Sequence, residues 1–212
     1  MTIRIIPDDL TDETIASYRE NGFVHIPGIL AEEEVAPFYD AIQSFSEEIR
    51  QTNEHTAVRD HEVFTQLVNF WPENEAIRQL TFHPNIGAVA QKLAGVKLRL
   101  WHDHVISKPP GENDRFQFHQ DFYNWPLADP NILTCWIALD DATVANGCMH
   151  VVPGSHRDSR FLPAARKKEL EELAQNPDAR TERVIMGEHD AGFGVPVELK
   201  SGECMFHHTL NF

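Results

Sequence analysis

The stretch Arg115-Phe116-Gln117-Phe118-His119-Gln120-Asp121-Phe122-Tyr123-Asn124-Trp125-Pro126 places a histidine and an aspartate two positions apart at the end of an aromatic strand pattern. Successive side chains of an extended chain alternate between faces, so His119 and Asp121 are expected to point the same way while Gln120 faces elsewhere. One imidazole nitrogen and one carboxylate oxygen suit a divalent first-row metal. With a second histidine from another strand they would complete the 2-His-1-carboxylate set of non-haem Fe(II) sites, which leaves positions open for dioxygen and a co-substrate.

A second His-x-Asp pair, His156 with Asp158, follows a Pro-Gly sequence that predicts a loop. The first pair is the stronger candidate, because its neighbouring phenylalanines could keep water away from a reactive oxidant. Spacing alone leaves another interpretation of His119 open, namely a surface histidine paired with its neighbouring carboxylate. His156 is expected to fix its loop rather than to perform chemistry.

The composition points to a small-molecule protein. At 212 residues, without a dividing linker, the chain is predicted to be a single domain over residues 1–212. Its formal charge of −15 argues against nucleic acid or an anionic membrane as partner. No apolar run is long enough for a membrane span, and the N-terminus has no leader pattern, so a cytoplasmic location is expected. Three cysteines without a CxxC spacing are expected to be free thiols (Cys135, Cys148 and Cys204).

The N-terminal part, about residues 1–95, is predicted to be a mainly helical cap. N-capping and C-terminal glycine signals, together with helical spacing of apolar residues, indicate three helices. They run from Thr11 to about Glu20, from Ala31 to about Gln51, and from Asn85 to Ala94. Between the first two helices, Phe23–Pro27 predicts a strand.

After Gly95 the apolar period changes from 3.6 towards 2, which predicts a β core over about residues 96–212. One charged helix, Ala164–Gln175, is expected as an insertion. Helices followed by short strands favour a mainly β architecture, closed or double-sheeted, with the helices on one outer face. The predicted strands are Leu98–Lys108, Gln117–Asp121, Leu133–Leu139, Cys148–Val152, Arg183–Met186, Val195–Leu199 and Glu203 to the end.

Several short motifs follow one another along the chain, namely Ile106–Gly111, His119–Asp121, Trp136–Leu139, Asn146–Cys148, Pro153–His156 and Gly202–His208. Their order resembles the phytanoyl-CoA dioxygenase family across nearly the whole chain. The resemblance implies a double-stranded β-helix, the jelly-roll or cupin-like fold, in an enzyme that uses Fe(II), 2-oxoglutarate and O₂.

The resemblance also assigns residues. His119 and Asp121 fall on the family's first two iron ligands, His104 and Trp136 fall at positions that look like walls of the 2-oxoglutarate pocket, and Gln120 is expected to contact the same co-substrate. Oxidative decarboxylation of 2-oxoglutarate to succinate would accompany oxidation of a substrate. Related halogenating enzymes carry a small residue in place of the aspartate, so Asp121 favours hydroxylation or desaturation of a small organic metabolite.

The family's third ligand is expected five residues after His208, directly beyond Phe212, and the basic residue that anchors 2-oxoglutarate is expected further along. The β core is therefore expected to continue past the printed sequence. His207 or His208 is an alternative third ligand, and because they are adjacent on a predicted strand only one can face the metal.

Further residues are candidates for substrate or pocket contacts, namely His102, Lys108, Arg115, Tyr123, Asn124 and Trp125. Two other functions stay open. The chain could be a cupin-like protein that binds a small molecule without activating oxygen, or a metal-dependent isomerase or lyase in which the ion acts only as a Lewis acid. The sequence identifies neither the substrate nor the oligomeric state.

Overall fold

The computed structural model describes residues 10–52, 65–108, 119–127, 129, 131–158 and 194–212. Within these ranges, helices dominate the N-terminal half and short strands the remainder. The helices are α1 (Asp12–Asn21), α2 (Glu32–Thr52), α3 (Glu75–Thr81) and α4 (Pro84–Ala94). The strands are β1 (Phe23–Ile26), β2 (Thr65–Val68), β3 (His104–Ser107), β4 (Leu133–Ile137), β5 (Met149–Val151), β6 (Val195–Val197) and β7 (Cys204–His208).

The local signals at the helix ends are confirmed. Thr11 caps α1 by accepting a hydrogen bond from the Thr14 N–H, and Gly22 ends the helix in the left-handed conformation at φ 78°. In α4, Pro84 occupies the first turn and Gly95 ends the helix at φ 69°. At the start of α2, the Glu34 carboxylate accepts a hydrogen bond from the Ala31 N–H at 2.8 Å. These three helices therefore begin and end within a few residues of where the sequence predicted.

The described strands form one three-stranded sheet and two antiparallel pairs. In the three-stranded sheet β7 lies between β1 and β4, and both neighbours run antiparallel to it. The pairs are β2 with β3 and β5 with β6. No closed barrel forms among the residues that the structure describes. The predicted mixture of helices and sheets is confirmed in this coarser form.

The β1–β7–β4 sheet has two faces of different character. The helix face is apolar and packs against α1 and α4, in a core that includes Tyr18, Ile86, Val89 and Leu93. The opposite face packs in part against the β5–β6 pair through Val151 and Val197. The helix face consists of Val24, Ile26, Leu133, Cys135, Ile137, Cys204 and Phe206, with His208 at the end of β7. The opposite face carries Phe23, His25, Thr134, Trp136, Met205 and His207.

A further apolar cluster lies under α2. Ile42 and Ile49 of that helix are buried with Leu67 of β2, Phe70 and Ile77, and Val105 of β3 packs against them. Nearer its N-terminus, Val35 of the same helix belongs to the core of the helix face. The amphipathic period predicted for this segment thus joins two cores along one long helix. None of the helices in the described ranges has both the length and the apolar character to cross a lipid bilayer.

Two strand predictions need correction, and one strand was not predicted. The predicted strand Leu98–Lys108 is extended and paired only over His104–Ser107, and β2 was not predicted. Asp121, predicted as the end of a strand, instead begins a 3-10 turn over Asp121–Asn124. The predicted strand Arg183–Met186 and the predicted helix Ala164–Gln175 lie outside the described residues. All three cysteines are free, as expected.

Candidate metal centre

Asp121 is positioned by a turn that docks on the segment after β7. The Phe122 N–H donates to the Thr209 carbonyl at 3.1 Å, and the Gln120 side-chain amide donates to the Leu210 carbonyl. Gln120 is still extended, at φ −107° and ψ 127°, and the 3-10 turn begins at Asp121, so the predicted strand conformation ends there. The ring of Phe122 is buried at 7 % exposure beside this turn.

His119 and Asp121 nevertheless point to the same place. The His119 Nε2 lies 3.4 Å from the Asp121 Oδ1, and the two side chains are 39 % and 22 % exposed. Gln120 between them is extended, so alternation about this residue places the two side chains on the same side of the chain. Since both side chains are partly exposed, solvent can reach this pair of one imidazole nitrogen and one carboxylate oxygen.

The opposite face of the β1–β7–β4 sheet contacts the second carboxylate oxygen. The Thr134 hydroxyl on β4 donates to Asp121 Oδ2 at 3.1 Å, and the His207 Nε2 on β7 lies 3.8 Å from the same oxygen. Thr134 and His207 are directly opposed in the β4–β7 register. Asp121 therefore lies between the loop histidine His119 and a pair of sheet residues.

The electrostatics keep the Asp121 carboxylate ionised. Burial alone would raise its pKa, but the hydrogen bond with His119, the nearby imidazoles of His207 and His119, and the Thr134 hydroxyl lower that pKa to about 2. Burial has the opposite consequence for His207, where it lowers the pKa of the imidazole. At neutral pH the centre thus combines an anionic carboxylate with a neutral, buried imidazole.

The imidazole of His119 and the carboxylate of Asp121 fit a divalent cation, because metal ligation needs a deprotonated carboxylate and an imidazole nitrogen with a free lone pair. Among the described residues, no three His, Cys, Asp or Glu side chains are arranged to hold a metal ion. His119 and Asp121 would thus supply two protein ligands. His207 contacts the carboxylate oxygen that faces away from His119.

The two adjacent histidines of β7 lie on different faces, as strand alternation predicted. His208 is on the helix face of the sheet, where its Nδ1 accepts the Leu210 N–H at 3.1 Å and its ring centroid lies 5.3 Å from that of His156. Of the two, only His207 approaches Asp121. In the other His-x-Asp pair, His156 anchors its loop to the end of α1, because its Nε2 donates a hydrogen bond to the Arg19 carbonyl.

The residues predicted to contact 2-oxoglutarate lie at three places around this centre. Trp136 lies on the same face of β4 as Thr134, two residues further along, and packs against the cluster that contains Met205. Gln120 is 2 % exposed, with its amide nitrogen bonded to Leu210 and its Oε1 buried without a protein partner. His104 begins β3, and its Nε2 is 3.1 Å from Gln66 Oε1. Their assignment to the co-substrate stays a prediction.

Of the other predicted contact residues, Trp125 and His102 meet edge to face at 5.3 Å between ring centroids. Arg115 and the side chain of Tyr123 lie outside the described residues. Thr134 was not predicted, and no local signal marks it, because its contact with Asp121 depends on the pairing of β4 with β7.

The family model of phytanoyl-CoA dioxygenase (PhyH) matches residues 18–211. Among curated relatives, the ectoine dioxygenase of Bordetella parapertussis is 27 % identical over 167 residues, which are 71 % of this chain and 51 % of that protein. The peroxisomal phytanoyl-CoA dioxygenase of Homo sapiens is 26 % identical over 165 residues, 71 % of this chain and 48 % of its own length. The chain spans about half the length of these relatives.

Several solved structures are similar over almost the whole chain, and SnoK and SnoN are two of them. The carbocyclase SnoK from nogalamycin biosynthesis, described as non-heme and alpha ketoglutarate dependent, superposes with a TM-score of 0.72 at 28 % identity, covering 99 % of this chain and 78 % of SnoK. The epimerase SnoN, solved with Fe3+, alpha ketoglutarate and nogalamycin RO, gives a TM-score of 0.70 at 29 % identity, covering 97 % of this chain and 76 % of SnoN.

Proposed function

Because the chain belongs to the phytanoyl-CoA dioxygenase family, we propose that it is the core of an Fe(II)- and 2-oxoglutarate-dependent dioxygenase acting on a small organic molecule. The observation that carries the proposal is the His119–Asp121 pair, which has one nitrogen and one ionised oxygen 3.4 Å apart and open to solvent. Similarity to SnoN, whose structure contains iron and alpha ketoglutarate, supports the same cofactors here.

The roles of the residues follow from their chemistry. His119 Nε2 and Asp121 Oδ1 would hold the iron. When bound, iron with 2-oxoglutarate and O₂ supplies oxidative decarboxylation to succinate and CO₂, coupled to oxidation of the substrate. Phe122, the residue that follows Asp121, is buried and is proposed to help exclude water from the site. Trp136 shares the sheet face of Thr134, which is consistent with a pocket wall for the co-substrate, and His104 and Gln120 are its other proposed contacts.

The proposed fold is the jelly-roll of cupin-like enzymes. Its support is the pairing of β1, β7 and β4 under two helices, with the β5–β6 pair packed against the opposite face. In such a fold the candidate centre would lie between two sheets, where a small substrate can be enclosed. Residues 1–212 would form one domain. The formal charge of −15 favours a small molecule over nucleic acid as the partner.

Hydroxylation is the proposed outcome, because Asp121 retains the carboxylate ligand that hydroxylating relatives use. SnoK is named a carbocyclase and SnoN an epimerase, so members with this fold are described with other outcomes as well. A second candidate function is a cupin-like protein that binds a small molecule without oxygen chemistry. It is favoured by one observation, namely that no three-ligand metal group occurs among the described residues.

The test is an anaerobic titration with Fe(II) and 2-oxoglutarate, followed by admission of O₂ and measurement of succinate. The visible charge-transfer band of the iron–keto-acid chelate and Fe(II)-dependent succinate formation are expected. The titration covers the chain ending at Phe212 and a longer form that continues through the position expected for the third ligand. Ligand binding without succinate from either form would favour the binding-protein function.

Asp121→Ala is the matched variant, and Asp40→Ala, an exposed carboxylate on α2, is its control. Loss of the ligand should abolish the charge-transfer band and reduce succinate formation by at least ~10²-fold, because a ligand rather than a supporting residue is removed. The control should match the parent. Equal succinate from the parent and Asp121→Ala would show that Asp121 is not a ligand.

A further inference from the structure

The two oxygens of the Asp121 carboxylate have different surroundings. Oδ1 lies 3.4 Å from the Nε2 of His119, a side chain that is 39 % exposed. Oδ2 faces the sheet, where it accepts the Thr134 hydroxyl at 3.1 Å and lies 3.8 Å from His207 Nε2. A carboxylate on a short side chain can otherwise rotate and exchange its oxygens, so this asymmetry must be maintained by the sheet residues.

Thr134 is well placed to hold one oxygen. It lies within β4, whose neighbours Cys135 and Ile137 pack into the core of the helix face, and its backbone is paired with His207 of β7. A β-branched side chain on a strand has restricted χ1 freedom, so its hydroxyl is presented in one direction. On the far side of Oδ2, the His207 side chain is only 10 % exposed, which limits the access of water to that oxygen.

We propose that Thr134 is a positioning residue for the metal centre: its hydroxyl holds Asp121 Oδ2 against the sheet and presents Oδ1 together with His119 Nε2 to the cation. This inference rests on the proposed function, because it assigns a role toward the metal that His119 and Asp121 would hold. Outer-shell hydrogen bonds to ligating carboxylates contribute to metal affinity in this way.

The test is a titration with Co²⁺ alone, without 2-oxoglutarate or O₂, monitored by visible absorbance. Thr134→Val keeps the shape and removes the hydroxyl, whereas Thr134→Ser keeps the hydroxyl and removes the methyl group. We expect Thr134→Val to raise the half-saturating Co²⁺ concentration ~10–100-fold, as for outer-shell partners elsewhere. Thr134→Ser should remain within ~3-fold of the parent, since it retains the bond.

Thr143→Val is the matched control. Thr143 also donates its hydroxyl to a side-chain oxygen, Asn146 Oδ1 at 3.2 Å, but in an exposed turn. Its Co²⁺ affinity should equal that of the parent. In the iron-loaded enzyme, Thr134→Val should raise the Fe(II) concentration needed for half-maximal rate while leaving the rate at saturating Fe(II) within a few-fold, whereas general structural damage would lower both.

The outcomes separate the two proposals. If Thr134→Val binds Co²⁺ like the parent, or if Val and Ser weaken binding equally, the hydroxyl has no positioning role and the inference is wrong while the proposed metal site stands. If the parent itself binds no Co²⁺ in either the printed or the longer form, the proposed function fails and the inference fails with it. A weakened Val variant with a parent-like Ser variant supports both.

Discussion

The two faces of the β1–β7–β4 sheet are built from alternate residues of the same three strands, yet they differ in chemistry. The helix face is apolar except for His208 at the end of β7, and it is covered by α1 and α4. The opposite face is apolar at Trp136 and Met205 but ends in Thr134 and His207, next to Asp121. One face therefore contributes the burial that fixes the strands, and the other uses those fixed strands to place polar groups.

The polar end of the opposite face gives the metal centre its regular structural support. His119 and Asp121 lie on a loop and a 3-10 turn, which are the less regular part of the site. Their regular support is the β4–β7 pair, whose register sets Thr134 against His207. Disturbing the helix face should therefore cost folding stability, whereas disturbing the polar end of the opposite face should cost metal affinity.

The largest effect is expected from the helix face. Phe206 is fully buried on β7, and its chain neighbours Met205 and His207 belong to the other face. Phe206→Ala should lower the free energy of unfolding by ~3–5 kcal/mol, because a buried ring is removed and a cavity remains. Phe82→Ala is the control, since the same ring is 53 % exposed there. It should cost less than ~1.5 kcal/mol, through loss of its edge contact with Trp71.

Urea unfolding followed by circular dichroism measures both variants. If Phe206→Ala and Phe82→Ala had equal effects, the helix face would not be the main stabilising surface of the sheet. In that case the assignment of folding stability to the helix face would be wrong, even if the assignment of the metal centre were correct.

The sequence predicted most of the helix face, because its signals are local. The Thr11 cap, the glycines at 22 and 95, and the apolar period of α2 each depend on residues within a few positions of one another. Strands β4 and β7 were also predicted from alternation. Strand β2 was missed because only its pairing with β3 distinguishes four residues as a strand.

The centre was predicted in part. The residue types of His119 and Asp121 identified the pair, although Asp121 begins a 3-10 turn where the end of a strand was predicted. Thr134 and the approach of His207 rather than His208 depend on register between strands about 70 residues apart in the chain. Register is a property of the whole sheet, so no local pattern could reveal which hydroxyl reaches the carboxylate.

A smaller effect on stability is expected from a substitution at Gly22, which ends α1 and directly precedes β1. This residue has φ +78°, and a Cβ built there would lie 2.3 Å from His156 Nδ1 and 2.4 Å from Asn211 Oδ1. Gly22→Ala should destabilise by ~2 kcal/mol, because both the left-handed backbone and the close approach are incompatible with a side chain. The effect should appear as a lower midpoint in thermal unfolding.

Gly87→Ala provides the matched comparison. Gly87 lies inside α4, and a Cβ there would meet no atom within 4 Å. The same substitution should stabilise the protein by ~0.5–1 kcal/mol through helix propensity. Opposite signs for the two variants would confirm that the local geometry at Gly22, rather than the loss of a glycine in general, causes the destabilisation. Equal signs would contradict this explanation.

The smallest effect concerns His208, at the end of the helix face, and its neighbour His156. Burial, together with the neighbouring imidazoles of His156 and His207, lowers the pKa of His208 to about 4. Burial also lowers the pKa of His156, with an opposing contribution from its bond to the Arg19 carbonyl and a lowering one from Arg157. In the unfolded chain a histidine titrates near ~6.5. Between these two pKa values the unfolded state therefore binds more protons than the folded state.

The sign of the pH effect follows from that difference, since stability rises with pH wherever the unfolded state binds more protons. As the pH falls from 6.5 towards the folded pKa of His208, the protein should lose stability. His208→Asn keeps an acceptor for the Leu210 N–H but cannot titrate. After allowance for solvent screening, the variant should lose ~1 kcal/mol less than the parent between pH 7 and pH 5 in urea unfolding. Parallel pH profiles of the parent and His208→Asn would mean that His208 is protonated equally in the folded and unfolded states. In that case, this end of the helix face would not shield the imidazole from water.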